Sequence, residues 1–170
     1  DNCATCHGSG AQGSKGYPNL NDDDWLWGGT LEDIQATIEY GIRSEHDETR
    51  YSEMPFFLTD QLLERDQVRA LAEYVLSLSG EEHDAELAAS AAETYEFECA
   101  SCHMEDGAGD IFVGAPNLKD RIWLHGQDRD SIIRNIGNMK AGVMPAWKDR
   151  LDEATIRSLA IYVHSLGGGQ

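Results

Sequence analysis

The sequence predicts an all-α protein built from two small tandem domains. Apolar residues follow helical spacing, as with Val68, Leu71, Ala72 and Val75 at i, i+3, i+4 and i+7. A second helix with the same spacing begins at Ile156, in the other half of the chain. No segment alternates apolar and polar residues as a half-buried strand would, and 170 residues are enough for two small domains.

Short strings recur in the same order in both halves, which indicates a tandem duplication. The first copy carries about eight additional residues around 44–51, which we expect to form an exposed loop. We predict a first domain at residues 1–80 that lacks a leading helix, an acidic linker at 81–86, and a second domain at 87–170. The matching strings are 18–20 with 116–118, 25–28 with 123–126, Ile34 and Ile38 with Ile132 and Ile136, 54–55 with 144–145, and 74–78 with 162–166.

Each half contains a Cys-x-x-Cys-His string, the pattern of a covalent c-type haem site. Two thiols on one helical turn can each form a thioether to a haem vinyl group, and the following imidazole can bind the iron. A single Cys-x-x-Cys would also suit a redox disulfide or half a zinc site, but the histidine, found twice, favours haem c. All four cysteines lie in these strings, so two haem c groups are expected, on Cys3, Cys6 and His7 and on Cys99, Cys102 and His103.

Four methionines are candidates for the sixth position of the irons. Met54 and Met144 each precede a proline at matching places, which favours them over ordinary core packing. Met104 directly follows a proximal histidine and cannot reach the opposite haem face, and Met139 lies on the apolar stripe of its helix. His46, in the additional loop, is the alternative ligand in the first domain. The predicted axial pairs are His7 with Met54 and His103 with Met144.

Residues around each proximal histidine are candidates for shaping the haem pocket. The carbonyls of Pro18 and Pro116 could accept the second ring N–H of the histidines, although either could be a plain loop proline. Trp25 and Trp123 could bind a haem propionate or simply form a pocket wall. The residues expected to pack on the porphyrin are Leu20, Leu118, Ile38 and Ile136.

One helix contact has a consequence for stability. The helix that leads into the second motif is expected to lay Tyr95 across the helix carrying Leu159 and Tyr162. The equivalent face of the first copy, around Leu71 and Tyr74, would then lack cover. It should either make the first domain less stable or dock on the second.

The net charge of −18 is uneven along the sequence. Residues 1–80 hold 15 acidic and 5 basic side chains, whereas residues 87–170 hold 12 acidic and 8 basic ones. Such a surface repels nucleic acid and attracts cationic partners, although it could also serve general solubility. We expect the stronger negative field around the first haem. Haem c is attached outside the cytoplasm, and no run of 18 apolar residues and no signal peptide is present.

The motifs resemble class I cytochrome c domains and, more narrowly, subunit III (the FixP type) of cbb3-type cytochrome c oxidases. The resemblance extends over nearly the whole chain. One departure is Phe56, which stands where the second copy has Ala146. The strings that carry the resemblance are residues 2–7, 18–29, 115–118, 142–147 and 166–169.

This resemblance implies a di-haem electron relay with His/Met ligation at both irons. It implies a place on the periplasmic face of the bacterial inner membrane, with a membrane anchor in a segment absent from this chain. A cationic cytochrome c-like protein or a quinol-oxidising complex would be the donor, and the mono-haem and catalytic oxidase subunits would be the acceptors. No catalytic centre of its own is expected.

Two other functions are compatible with parts of the sequence. A free periplasmic di-haem carrier would use the same motifs without an anchor. A haem peroxidase needs an open sixth position with acid–base groups beside it, and Met54 and Met144 argue against that.

Overall fold

The computed structural model describes residues 2–169, and within them it contains eight α-helices and no β-strand. This confirms the all-α prediction. No helix within these residues combines the length and the apolar character that crossing a membrane requires. The helices are α1 Ala4–His7, α2 Leu31–Tyr40, α3 Arg65–Leu78, α4 Ala85–Ser90, α5 Ala92–Glu98, α6 Ala100–His103, α7 Arg129–Gly137 and α8 Glu153–His164.

Side-chain caps start the longer helices at matching places in the two repeats. The Thr30 hydroxyl accepts a hydrogen bond from the backbone N–H of Asp33 at the start of α2. At the start of α7, the Asp128 carboxylate accepts one from Ser131. Such caps satisfy backbone donors that the first turn leaves free. Residues with short polar side chains therefore define where each of these helices begins.

The chain divides into two compact units that cut across the two sequence repeats. One, which we call the split unit, consists of Asp1–Ser52 and Ala141–Gln170, and the other, the continuous unit, is Glu53–Lys140. The compact units therefore do not follow the predicted division at 1–80 and 87–170. The reason is that the two repeats exchange their last helices. The last helix of the first repeat, α3, packs on α4, α5 and α7 of the second repeat, and the last helix of the second repeat, α8, packs on α2 of the first.

The continuous unit has its core between α3, α4, α5 and α7. Phe57, Leu71 and Tyr95 are each at most 2% exposed and belong to one apolar cluster with Ile132. The rings of Tyr74 and Tyr95 lie 4.7 Å apart. The expectation that Tyr95 crosses the helix of Leu159 and Tyr162 is therefore wrong, because α3 of the first repeat takes that place. Leu71 and Tyr74 are not left uncovered.

The core of the split unit lies between α2 and α8. Ile34, Ile38 and Ile156 are buried there with Ala160, and the helices contact each other along this apolar face. On the other side of α8, Tyr162 is 57% exposed. The exposed aromatic residue thus lies on the last helix of the second repeat, and its counterpart Tyr74 on α3 is stacked.

An ion pair between a buried glutamate and a half-exposed arginine joins α3 to α7 in the continuous unit. The Arg129 guanidinium donates to the Glu73 carboxylate through Nε at 2.5 Å and through Nη2 at 3.1 Å. The same carboxylate accepts the backbone N–H of Asp84 at 2.8 Å. The hydrogen bond from Arg129, opposed by desolvation, holds the pKa of Glu73 below its ordinary value. Glu73 therefore stabilises the fold in its ionised form.

We predict an acid-dependent loss of stability that depends on Glu73. Because the folded-state pKa is lowered, this contribution is complete above the ordinary value of 4.5 and disappears as the pH falls through the lowered value. Urea unfolding between pH 3 and pH 6 measures it. Glu73→Gln should remove this part of the pH dependence, whereas Glu96→Gln, an exposed carboxylate on α5, should leave it in place. Equal pH dependence in Glu73→Gln and the unaltered chain would contradict the assignment.

Candidate haem-attachment sites

The two Cys-x-x-Cys-His motifs have the same local structure. Each forms a one-turn helix in which the histidine N–H donates to the carbonyl of the first cysteine, at 2.9 Å in both. None of the four cysteines is in a disulfide, and Cys3 and Cys102 are exposed. Within residues 2–169 no three His, Cys, Asp or Glu side chains are grouped as metal ligands, so the cysteines do not form a zinc-type cluster. The arrangement leaves two thiols and one imidazole on a single turn, which suits haem c.

The histidines of the two motifs are oriented by prolyl carbonyls. His7 donates from Nδ1 to the Pro18 carbonyl at 2.9 Å, and His103 donates from Nδ1 to the Pro116 carbonyl at 3.0 Å. A carbonyl can only accept, so Nδ1 carries the proton and Nε2 keeps a free lone pair for iron. Burial, opposed by the hydrogen bond to Pro116, also lowers the pKa of His103, which favours the neutral ring. Both histidines are thus in the tautomer that a metal requires.

The two candidate methionines lie in the compact units opposite to those expected. Met144 packs with Ile34 and Ile38 in the split unit, which also contains His7. Met54 packs on the core of the continuous unit, which also contains His103. The chain passes from the split unit to the continuous unit between residues 52 and 53, immediately before Met54. The structure therefore places Met144 in the same compact unit as His7, and Met54 in the same compact unit as His103.

Backbone hydrogen bonds fix Met144 at the carboxyl end of α2. The Met144 N–H donates to the Ile42 carbonyl, and the Ile42 N–H donates to the Met144 carbonyl, both at 3.0 Å. Gly41 has a φ of +72°, and a Cβ there would lie 2.3 Å from the Met144 carbonyl oxygen. A residue with a side chain would push the methionine segment away. Glycine at 41 is thus part of what positions Met144.

The segment after Met54 attaches to α7 by an equivalent bond. The Leu58 N–H donates to the Gly137 carbonyl at 2.9 Å, and the Lys148 N–H donates to the Glu39 carbonyl at 3.1 Å. The repeats align Leu58 with Lys148 and Gly137 with Glu39. The same backbone hydrogen bond therefore occurs once in each unit. Each time, it links a methionine segment of one repeat to a helix of the other.

The tryptophans and leucines contribute to the walls of the two units. Trp25 packs on the Ile34–Ile38 core and its indole N–H donates to the Gly168 carbonyl. Trp123 packs on the core of the continuous unit, where Leu118 is buried. Leu20 is partly buried. The indole N–H of Trp25 is thus engaged within the protein, which agrees with a pocket wall.

The additional loop of the first repeat contains a residue that the sequence analysis missed. Arg50 pairs with Asp33 at 3.1 Å, and its guanidinium lies 5.7 Å from the centre of the Trp27 ring. Although desolvation opposes it, hydrogen bonds from Thr30 and Arg50 hold the pKa of Asp33 below its ordinary value. The loop is thus pinned to α2, and not simply exposed. A lone arginine in an acidic loop segment was the available signal.

His46, the alternative ligand, is occupied within the same loop. Its ring lies 5.1 Å from that of Tyr40, and its Nδ1 accepts the Glu48 N–H at 3.0 Å. These contacts hold the imidazole against its own loop and the end of α2.

Comparison with known families gives matches in both halves of the chain. The family described as "Cytochrome c" matches residues 1–79. The family described as "Cytochrome C oxidase, cbb3-type, subunit III" matches residues 86–163. Both boundaries lie close to those of the sequence repeats.

Several curated proteins are similar to the chain along its whole length. The CcoP subunit of the cbb3-type oxidase of Cereibacter sphaeroides is 55% identical over 170 residues, which cover 99% of this chain and 59% of that protein. The FixP subunit of Bradyrhizobium sp. is 53% identical over 174 residues, covering 100% and 59%. The FixPc subunit of Rhizobium leguminosarum bv. viciae is 52% identical over 169 residues, covering 99% and 58%. The chain therefore spans about three fifths of the length of these relatives.

Proposed function

Because this chain belongs to the subunit III family of cbb3-type cytochrome c oxidases, we propose that it is the part of such a subunit that carries electrons through two covalent haem c groups. One observation supports this most directly. Each compact unit combines a Cys-x-x-Cys-His turn, a histidine whose Nδ1 donates to a prolyl carbonyl, and one methionine segment.

The residues divide between two haem sites. Haem c, once bound, takes up and releases one electron at its iron. Cys3 and Cys6 would attach it in the split unit, with His7 as the proximal ligand. The proposed ligand on the opposite side is Met144. In the continuous unit, the corresponding residues are Cys99, Cys102, His103 and Met54, so these axial pairs replace the ones predicted from sequence.

The protein environment in this proposal favours electron transfer over peroxide chemistry. Met144 and Met54, as ligands of the bound haems, would occupy the position at which a peroxidase binds its substrate, and thioether ligation would raise the reduction potential. The hydrogen bonds to Pro18 and Pro116 keep each imidazole fixed, so little rearrangement accompanies a change of charge at the metal. The names of the relatives favour an oxidase subunit over a free carrier.

The proposed setting is the periplasmic face of the inner membrane. The partners would be the mono-haem and oxygen-reducing subunits of the oxidase, with a cationic cytochrome c or a quinol-oxidising complex as the electron donor. Nucleic acid is not expected as a partner because the net charge is −18.

The test uses the oxidase complex that contains this subunit. Intact mass should exceed that of the polypeptide by two haems, and acid–acetone should leave the colour on the protein. Replacing Cys99 and Cys102 by Ser should remove one haem and slow oxygen consumption with a cytochrome c donor by about tenfold or more. A small reductant that reduces the oxygen-reducing subunit directly should keep its rate, which controls for assembly. Equal loss with both reductants, or no loss with either, would contradict the relay.

The charge of the compact units changes the expected point of electron entry. The continuous unit contains 18 acidic and 7 basic side chains, so its net charge is −11, against −7 in the split unit. From sequence, the stronger field is expected around the first haem, because charges are then grouped by repeat. Grouping them by compact unit moves the stronger field to the unit of His103.

We predict that a cationic donor reduces the continuous unit first at low salt. Electrostatic attraction is screened over about 10 Å at 0.1 M ionic strength, so the bimolecular rate should fall steeply as salt rises. Transfer between the haems is intramolecular and should hardly change. Stopped-flow reduction over a salt series measures both rates. A bimolecular rate that stays constant or increases with salt would show that the acidic surface does not steer the donor.

A further inference from the structure

Matching residues of the two repeats differ where the last helices meet their partners. In the continuous unit, Glu73 of α3 is 5% exposed and is paired with Arg129 at the start of α7. The repeats align Glu73 with Ile161 of α8 and Arg129 with Leu31 of α2. At the positions where the continuous unit has an ion pair, the split unit thus has apolar residues that are exposed, Ile161 at 59% and Leu31 at 39%.

A second difference lies where each methionine segment is hydrogen-bonded to a helix of the other repeat. Leu58 lies against Gly137, where an added Cβ would be 2.6 Å from the Leu58 Cδ1 atom. The matching residues of the split unit are Lys148 and Glu39. The Lys148 ammonium is 3.2 Å from the Tyr40 hydroxyl and 3.6 Å from the carboxylate of Glu48. The Leu58–Gly137 contact is therefore small and apolar, whereas its counterpart at Lys148 and Glu39 carries charged side chains.

In the alternative pairing, each last helix would pack on its own repeat. The residues would then be mismatched both at the ion-pair position and at the methionine-segment contact. Glu73 would face Leu31 at a position where the aligned Ile161 is 59% exposed, and it would lose both its arginine and the backbone N–H of Asp84. Leu58 would lie over Glu39, whose Cβ stands where Gly137 leaves space. Ile161 would meet Arg129, and Lys148 would lie on Gly137 far from its own partners. Helix periodicity alone does not distinguish the two pairings, because the apolar faces of α3 and α8 match.

We propose that the Glu73–Arg129 pair and the Leu58–Gly137 contact select which last helix, and so which methionine, completes each haem unit. These are positioning residues that act on the axial ligands through the choice of helix partner. Polar or charged groups at a helix interface can penalise the wrong register or partner, because the alternative arrangement leaves them unpaired. The inference rests on the axial pairs of the proposed function, His7 with Met144 and His103 with Met54.

The test moves the selecting residues to the other repeat. The transfer variant carries E73I, I161E, L58K and K148L. In it, the charge and size matches favour α8 on α7 and α3 on α2. The restored variant adds the changes on the partner helices, L31R, R129L, E39G and G137E, and returns the matches to the original pairing.

The readout identifies which iron each methionine serves. All proteins carry Cys3→Ser, which leaves one vinyl group conjugated and shifts the absorption of the first haem to longer wavelength. They also carry Met144→Ala, so the haem that loses its methionine binds carbon monoxide. In the otherwise unaltered chain, the shifted haem should bind it. In the transfer variant, the unshifted haem should do so in about tenfold excess, and the restored variant should return to the shifted haem.

The outcomes separate this inference from the proposed ligand pairs. If the shifted haem still binds carbon monoxide in the transfer variant, the selection is overturned. If the unshifted haem binds it in the otherwise unaltered chain, the ligand pairs themselves fail. If the transfer variant does not fold, a second variant with only E73I and R129L is used. It gives the continuous unit the two apolar residues that the split unit has at the matching positions. That variant should fold and shift the ratio of the two haems by more than about twofold, and an unchanged ratio would overturn the role of the ion pair.

Discussion

Replacing Met144 by alanine is expected to open the haem bound to Cys3 and Cys6, and to leave the haem on Cys99 and Cys102 six-coordinate. Met144 is held at the end of α2 by two backbone hydrogen bonds to Ile42, in the same compact unit as His7. Without the thioether, the first iron should become high-spin, bind carbon monoxide and have a lower reduction potential. Absorption spectra of the ferric protein and a redox titration measure these changes.

The reciprocal substitution and a control complete this experiment. Met54→Ala should open the other haem, the one on Cys99 and Cys102, because Met54 lies in the unit of His103. Met104→Ala removes a partly exposed methionine that directly follows the proximal histidine and should leave both spectra unchanged. If Met144→Ala opened the second haem and Met54→Ala the first, the axial pairs would follow the repeats and the proposed pairs would be wrong.

Much of the local structure could be predicted because it depends on short-range sequence. The Cys-x-x-Cys-His strings determine one-turn helices, and the distance from each histidine to its proline was enough to suggest the hydrogen bonds of His7 and His103. The start of α2 at Thr30 follows from its capping side chain. Each of these features involves residues close together in the chain, so no knowledge of the tertiary partners was needed.

The helix partners could not be predicted because the repeats carry nearly the same apolar pattern. Leu71 on α3 and Leu159 on α8 occupy matching places, so either helix could cover Tyr95 by hydrophobicity alone. The residues that differ, Glu73 and Arg129, are charged and read as surface residues in a sequence. Their pairing becomes visible only when α3 and α7 are seen in contact.

A chain cut to residues 53–140 is expected to fold by itself as a cytochrome with one haem. This segment contains the whole apolar cluster around Phe57, Leu71 and Tyr95, together with the Glu73–Arg129 pair. It also contains Met54 and the Cys99–His103 turn. A cut to the second repeat, residues 81–170, removes α3, so Tyr95 and the Glu73-binding face of α7 lose their cover. Losing that contact should cost several kcal/mol, because burying a single large core side chain is worth about 2–3 kcal/mol.

Expressing these two segments under conditions that attach haem c is the most direct test that the compact units exchange their last helices. Both segments carry the same attachment motif, so the yield of covalent haem serves as the common control. We predict that ferric 53–140 is low-spin, shows the long-wavelength absorption of a methionine-ligated haem and unfolds cooperatively, while 81–170 is high-spin and melts at a lower temperature. A low-spin, cooperatively folded 81–170 beside an unfolded or high-spin 53–140 would contradict the exchange.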